Sequence, residues 1–181
     1  MKIISGKLKG RIIKGFDIDG TRPTMDRVKE SLFASIQEYL PDSICLDLFS
    51  GSGNLGIEAI SNGAKQCIFN DHNIKCYKLI KKYINEFDID NYSKVYNLDY
   101  KKMLGYIKDN NIKFDIVFLD PPYKFDKINE IIKFIYDNNI LNKNGIIVSE
   151  VDNLYVNNDY YEKIKEKKYG DKYIVIYKND K

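Results

Sequence analysis

From residue 41 onward the chain alternates short apolar runs with amphipathic stretches. Runs suited to buried strands fall at residues 44–49, 67–70, 95–98, 114–119 and 145–149. Between them lie helical patterns, clearest where Ile128, Ile131, Ile132 and Ile135 recur at i, i+3, i+4 and i+7. Near-continuous apolar strands alternating with helices predict an α/β fold whose parallel sheet is covered on both faces. The tail changes pattern: 161–168 and 173–178 flank Tyr169-Gly170-Asp171 and predict a terminal antiparallel hairpin. Upstream, Thr24 is expected to cap a helix reaching about Leu40, with Val28, Leu32, Ile36 and Tyr39 on one face and Pro41 as its stop. Residues 1–20 hold two short segments joined through Gly6 and Gly10, and read as a basic β-hairpin arm. The expected organisation is therefore an arm over 1–20 and one domain over 21–181.

Composition narrows the class. With 181 residues, 44% hydrophobic and 30% charged, the chain suits one well-packed globular unit. No apolar run approaches the ~20 residues that span a bilayer, and residues 1–7 do not resemble a signal segment. A cytoplasmic, membrane-free location is expected, and nothing demands more than a monomer. Cys45, Cys67 and Cys76 lack metal-ligand spacing, and the one histidine, His72, has no Cys cluster near it, so no metal site is expected.

Charge adds an asymmetry. The net charge is +3, yet residues 1–30 alone carry eight basic against four acidic side chains. All three arginines, Arg11, Arg22 and Arg27, lie in that stretch. A planar bidentate donor is the group that phosphate contacts favour. Lys7, Lys9, Arg11 and Lys14 can accordingly contact phosphates, sequence-independently and with steep salt dependence.

Two motifs carry chemistry. The first, Asp47-Leu48-Phe49-Ser50-Gly51-Ser52-Gly53-Asn54-Leu55-Gly56, runs from a strand through a glycine turn into a helix and satisfies G-x-G-x-x-G. Asp71 follows at the end of the second strand, where a carboxylate can take ribose hydroxyls. The loop alone would fit a nicotinamide dinucleotide nearly as well as S-adenosylmethionine. Asp47 shifts the balance, because a carboxylate there would repel a pyrophosphate and suit a cationic ammonium and sulfonium. The second motif, Asp120-Pro121-Pro122-Tyr123, follows the fourth apolar run. Two prolines remove two N–H donors, so a carboxylate and a Pro121 carbonyl can accept both hydrogens of an amino group. Tyr123 can stack a base. Such acceptors would pyramidalise a conjugated base nitrogen and aim its lone pair at a methyl donor. Asp99, after the third strand, can meet an adenine amino group or cap the next helix. The tetrapeptide by itself does not separate guanine N2 from adenine N6.

With these residues in view, the chain resembles the class I S-adenosylmethionine-dependent methyltransferases of the amino-methylating branch. Its opening, Ile3-Ile4-Ser5-Gly6-Lys7 through Arg11, then Arg22-Pro23-Thr24-Met25-Asp26-Arg27-Val28-Lys29-Glu30, resembles the bacterial RsmD family, which methylates N2 of a guanine in 16S ribosomal RNA. That resemblance implies a Rossmann-like, mostly parallel seven-stranded sheet with its last strand antiparallel. It implies a cofactor pocket of Asp47, Ser50, Gly51, Gly53, Asp71 and Asp99. Asp120, Pro121 and Tyr123 would hold the guanine. Arg22, Thr24 and Arg27 would lie near the methionine end of the cofactor and the incoming RNA. The substrate would be 16S ribosomal RNA or a small-subunit assembly particle. Asp71 stands where such proteins usually carry Glu. Three other readings compete: an N6-adenine DNA methyltransferase, for whose recognition segment little chain is left; a NAD-dependent oxidoreductase, disfavoured by Asp47; and a non-enzymatic RNA-binding module, disfavoured by the intact tetrapeptide.

Overall fold

The structure is a computed structural model that describes residues 1–15, 23–122, 125–151 and 159–181, with the side chains of 23–25 excepted. Its centre is one sheet of seven strands: β1 Ile44–Asp47, β2 Gln66–Asn70, β3 Ser93–Tyr96, β4 Phe114–Leu119, β5 Leu141–Val151, β6 Glu162–Tyr169 and β7 Lys172–Lys178. The helices are α1 Pro23–Ser35, α2 Asn54–Ser61, α3 Ile74–Glu86, α4 Tyr100–Asp109 and α5 Ile128–Asp137. Strand order is β3-β2-β1-β4-β5-β7-β6. The first five strands are mutually parallel, and β7 runs antiparallel to both β5 and β6. The order reverses between β1 and β4, which pair as Cys45 with Ile116 and Asp47 with Phe118. That reversal places the loops after β1 and β4 on either side of one crevice, the usual ligand position in such sheets.

The two-residue period of the strands separates two cores. Cys45, Cys67, Phe69, Phe118, Val148 and Ile176 face one way and pack with residues of α1, α2 and α3. Leu46, Ile68, Val117, Leu119, Ile147 and Val175 face the other way, toward α4 and α5. On α5 the four isoleucines read from the spacing are all buried, each contributing about 1.5–3 kcal/mol relative to exposure. Cys45 and Cys67 are fully buried core residues, as expected, and burial pushes the Cys45 thiol up to about 12.

The N-terminal third departs from expectation in two places. Pro23 occupies the first helical position, where its missing N–H is harmless and its φ is already helical. Thr24 therefore lies inside α1 instead of capping it. The helix also ends at Ser35, whose hydroxyl donates back to the Ser31 carbonyl at 2.7 Å, a bond that competes with helix continuation. Gln37–Tyr39 then form a turn of 3-10 helix. Finally, among the described residues the two segments of the basic arm pair antiparallel as expected but only briefly, through the bridge of Lys2 with Ile12 and the Ile3 amide to Arg11 carbonyl and Ile13 amide to Met1 carbonyl bonds. Its tip also bonds to α2: the Lys7 amide donates to the Ser61 carbonyl at 2.8 Å and the Leu8 amide to Ser61 Oγ at 2.9 Å. Ile3, Leu8 and Ile13 are buried in the same cluster as α1, α2 and α3. Strand limits shift too, β3 ending at Tyr96 and β5 beginning at Leu141. Among the described residues no helix is long and apolar enough to cross a membrane.

Candidate active site

The crevice has two halves. The first is built at the ends of β1, β2 and β3. Gly53, at φ +80°, is the N-cap of α2, a left-handed position that a side chain would strain. Gly56 is required for a different reason: a Cβ there would lie 2.3 Å from the Phe69 ring, so α2 seats directly against β2. Asp47 lies beneath the turn, 1% exposed, and its Oδ2 accepts the Gly56 amide at 3.1 Å. Burial pushes its carboxyl up to about 7, and the nearby negative charges of Asp120 and Asp71 add to the rise. Asp71 closes the loop from the other side, accepting the Gly51 amide at 2.9 Å and the Asn73 amide at 2.8 Å.

Asn70 has no place among the residues expected from sequence, yet it ties all three strand ends together. Its side chain is 1% exposed, donates to the carbonyls of Leu48 and Leu98, and accepts the Leu98 amide. The Ser50 hydroxyl donates to the Asp47 carbonyl at 2.7 Å and accepts the Asn70 amide at 3.0 Å. The one signal for Asn70 is a polar residue ending an apolar run. Asp99 is the N-cap of α4, accepting the Lys101 amide at 2.9 Å, and is otherwise exposed. Phe49, Tyr100 and Phe125 meet in a three-ring cluster with centroids 5.1–5.7 Å apart, which joins the ends of β1, β3 and β4. No spacing in the sequence links these three rings.

This donor set fits a cation. Carboxylates stand at the ends of β1, β2 and β3, with Asp120 close enough to Asp47 to raise its pKa. The phosphate sites of dinucleotide folds present amides without such carboxylates. The crevice therefore suits an ammonium–sulfonium ligand with a ribose diol and disfavours a pyrophosphate.

The second half lies at the ends of β4 and β5 and the start of β7. Asp120 is half-buried, next to Pro121 and the exposed Pro122. Beside them lies a small cleft of about 20 Å³, lined by Pro121, Pro122, Phe125, Ile128, Glu150, Val151 and Lys172. Across it Lys172 and Glu150 form an ion pair. Tyr123 and Arg22, as well as the side chain of Thr24, lie outside the described residues.

The basic residues are not gathered at this crevice. Lys7 docks at Ser61, the far end of α2, and its ammonium sits 3.7 Å from the Tyr92 ring centroid. Arg11 lies 5.5 Å from the Phe87 centroid, and the Lys14 amide donates to Tyr83 Oη. Lys9 is exposed on the same arm. Since α2 has eight residues, Lys7 stands about 12 Å from the glycine turn along its axis, while Arg11 and Lys14 lie against the last turn of α3. Arg27 is different: it is exposed near the first turns of α1, two residues before Lys29, which reaches the start of α2. Lys29 is 3% exposed and pairs with the fully buried Glu58 at 2.8 Å. It also donates to the Lys2 carbonyl and to Asn54 Oδ1. Glu58 in turn accepts the amides of Ile4 and Ser5. This buried pair fastens the arm and α1 to the helix that follows the glycine turn, another feature that no sequence spacing discloses.

Comparison with known proteins agrees with this geometry. Residues 1–178 match the family model described as conserved hypothetical protein 95. A Haemophilus influenzae protein named ribosomal RNA small subunit methyltransferase D is 34% identical over 184 residues, covering 99% of this chain and 94% of that protein. The Escherichia coli protein of the same name is 32% identical over 84% of this chain and 76% of its own length. The solved structure named "Putative methyltransferase yhhF from Escherichia coli" superposes with a TM-score of 0.86 at 28% identity, over 99% of this chain and 98% of that one.

Proposed function

Because the chain belongs to the conserved hypothetical protein 95 family of RsmD-like methyltransferases, we propose that it methylates N2 of a guanine in small-subunit ribosomal RNA. Methylation of small-subunit ribosomal RNA is the activity named for its relatives; the base and atom are the further step. The observation that carries it is the position of Asp120-Pro121 at the end of β4, directly across the strand-order reversal from the glycine turn after β1.

S-adenosylmethionine, when bound, supplies an electrophilic methyl group. Ser50, Gly51 and Gly53 form the turn that would carry it, with Asp71 and Asp99 toward its nucleoside end. Asp47 supports the turn from below and supplies negative potential. The side chains of the target half do the positioning. The Asp120 carboxylate and the Pro121 carbonyl accept the two hydrogens of the amino group, draw its nitrogen toward pyramidal geometry and hold its lone pair toward the cofactor. Alignment and fixed acceptors of this kind supply several kcal/mol of barrier lowering without a strong base. Tyr123 provides the stacking face in this reading, and Arg22, Thr24 and Arg27 border the entry. Lys7, Lys9, Arg11 and Lys14, at the far end of α2 and the last turn of α3, hold phosphates away from the reacting base. A footprint this wide suits a long, folded RNA or a ribonucleoprotein particle.

The test is methyl transfer from tritiated S-adenosylmethionine to small-subunit particles, free 16S ribosomal RNA and duplex DNA in parallel. Label in the ribosomal substrates is expected. Label confined to DNA would replace this reading with the adenine-directed one.

A further inference from the structure

The cleft beside Pro121 and Pro122 carries an opposite-charge pair that the amino-group chemistry does not use. Glu150 lies next to the last residue of β5, one position beyond Ser149, which pairs with Leu119 immediately before Asp120. Lys172 opens β7, two residues before Ile174, the cross-strand partner of Glu150. Both side chains line the cleft, and each is partly exposed to it, at 26% for Glu150 and 45% for Lys172. A carboxylate has two oxygens, each with more than one acceptor site, and an ammonium has three hydrogens, so each group can take a ligand atom in addition to the partners it has in the fold.

The chemistry of the bases gives this pair a meaning. In guanine the exocyclic amino group is flanked by a ring N1–H donor, and O6 lies beyond it. In adenine the amino group is flanked by acceptors on both sides, N1 and N7. In cytosine its neighbours are the N3 acceptor and a C–H. Guanine is thus the one common base with a ring N–H donor next to its amino group.

We infer that Glu150 and Lys172 are the guanine-reading residues of this site: with the amino group held at Asp120 and Pro121, Glu150 accepts N1–H and Lys172 donates to O6. The inference rests on the amino-methylating reading above and adds the means by which the base is selected. An adenine in the same place would set a ring nitrogen lone pair against the carboxylate and leave the ammonium facing an amino group. Sites built to bond a specific N–H reject the analogue that lacks it strongly, because their own polar groups are then left unpaired.

The test uses three variants, Glu150→Gln, Lys172→Met and the exchanged pair Glu150→Lys with Lys172→Glu, which retains an ion pair and so the local fold. Methyl transfer to small-subunit particles is measured beside affinity for S-adenosylhomocysteine and melting temperature. The single variants are expected to lose about tenfold or more in kcat/KM, the range for one charge-assisted hydrogen bond. The exchanged pair is expected to lose at least about a hundredfold, with cofactor affinity and melting temperature kept. Wild-type turnover by the exchanged pair would overturn the inference. Nucleoside competition at saturating S-adenosylhomocysteine supplies a second arm. Guanosine and 2,6-diaminopurine riboside share the N2 amino group but differ at N1 and C6. Preference for guanosine in the wild type, reversed in the exchanged pair, supports Glu150 and Lys172 as the readers; equal competition by both nucleosides in the wild type refutes them. Failure of the underlying reading shows elsewhere: the wild-type product would then not be N2-methylguanosine, whatever the variants do.

Discussion

The two halves of the crevice are constructed on different principles. At the ends of β1, β2 and β3 the backbone is tied by buried or half-buried side chains: Asp47 to Gly56, Asp71 to Gly51 and Asn73, and Asn70 to Leu48 and Leu98. At the ends of β4 and β5 and the start of β7 the shape comes from prolines, the Phe125 ring and a partly exposed ion pair around a small cleft. The first arrangement fixes a turn against a ligand that never varies. The second leaves acceptors and charges facing a cleft, where they can be satisfied by a base that must be admitted and released. In the proposed reading, preorganisation is thus concentrated on the cofactor, and discrimination on the target.

The sharpest way to separate the halves is Asp120→Ala. Methyl transfer should fall by about a thousandfold or more, while affinity for S-adenosylhomocysteine stays within a fewfold of wild type by calorimetry. A parallel loss of cofactor binding would show that the halves are not separable. The converse break is Asn70→Leu, which strands the Leu48 and Leu98 backbone groups in a buried site. It should lower stability by about 1–3 kcal/mol in urea unfolding and weaken cofactor binding. Turnover at saturating cofactor should change little.

Asp47 makes a pH-dependent version of the same comparison. Its folded pKa of about 7 exceeds its ordinary value of 3.8, so between those values the folded state holds more proton than the unfolded one. Its contribution to stability is greatest below pH 4, declines as pH rises to about 7, and is then constant. Asp47→Asn removes that penalty, at most about 4 kcal/mol, so its melting temperature should exceed that of wild type more at pH 8 than at pH 5. The same variant should bind S-adenosylhomocysteine more weakly at pH 8, where wild-type Asp47 is charged. The smallest effect on the crevice belongs to the arm. Replacing Lys7, Lys9, Arg11 and Lys14 with Ala should leave cofactor affinity unchanged while weakening RNA binding. The log–log salt slope should flatten by about 0.7–0.9 for each phosphate no longer neutralised. An unchanged slope would remove the arm from the RNA interface.

Legibility in the sequence follows the range of the interactions. Strands β1, β2, β4 and the β6–β7 hairpin are readable because their signals, apolar runs and a Gly-Asp turn, are local. The glycine turn and Asp120-Pro121-Pro122 are readable because the backbone itself makes the site there. Asn70, the Lys29–Glu58 pair and the ring cluster of Phe49, Tyr100 and Phe125 are not, since each joins residues far apart in sequence through the fold. Helix α1 differs from its expected span at both ends, because Pro23 and the Ser35 back-bond outweigh a plausible Thr cap and an apolar face that continues to Leu40. The cationic character of the arm is plain in its residues. Its docking on α2, at the end opposite the glycine turn, depends on Ser61 and Glu58, more than 50 positions away, and has no local signal.

The central claim, methylation at guanine N2, is tested most directly by digesting small-subunit RNA labelled by the wild-type protein to nucleosides and identifying the tritiated species. N2-methylguanosine is expected as the single labelled nucleoside, abolished in Asp120→Ala. Label in N6-methyladenosine, or on any ring nitrogen in place of an exocyclic amino group, would contradict the claim.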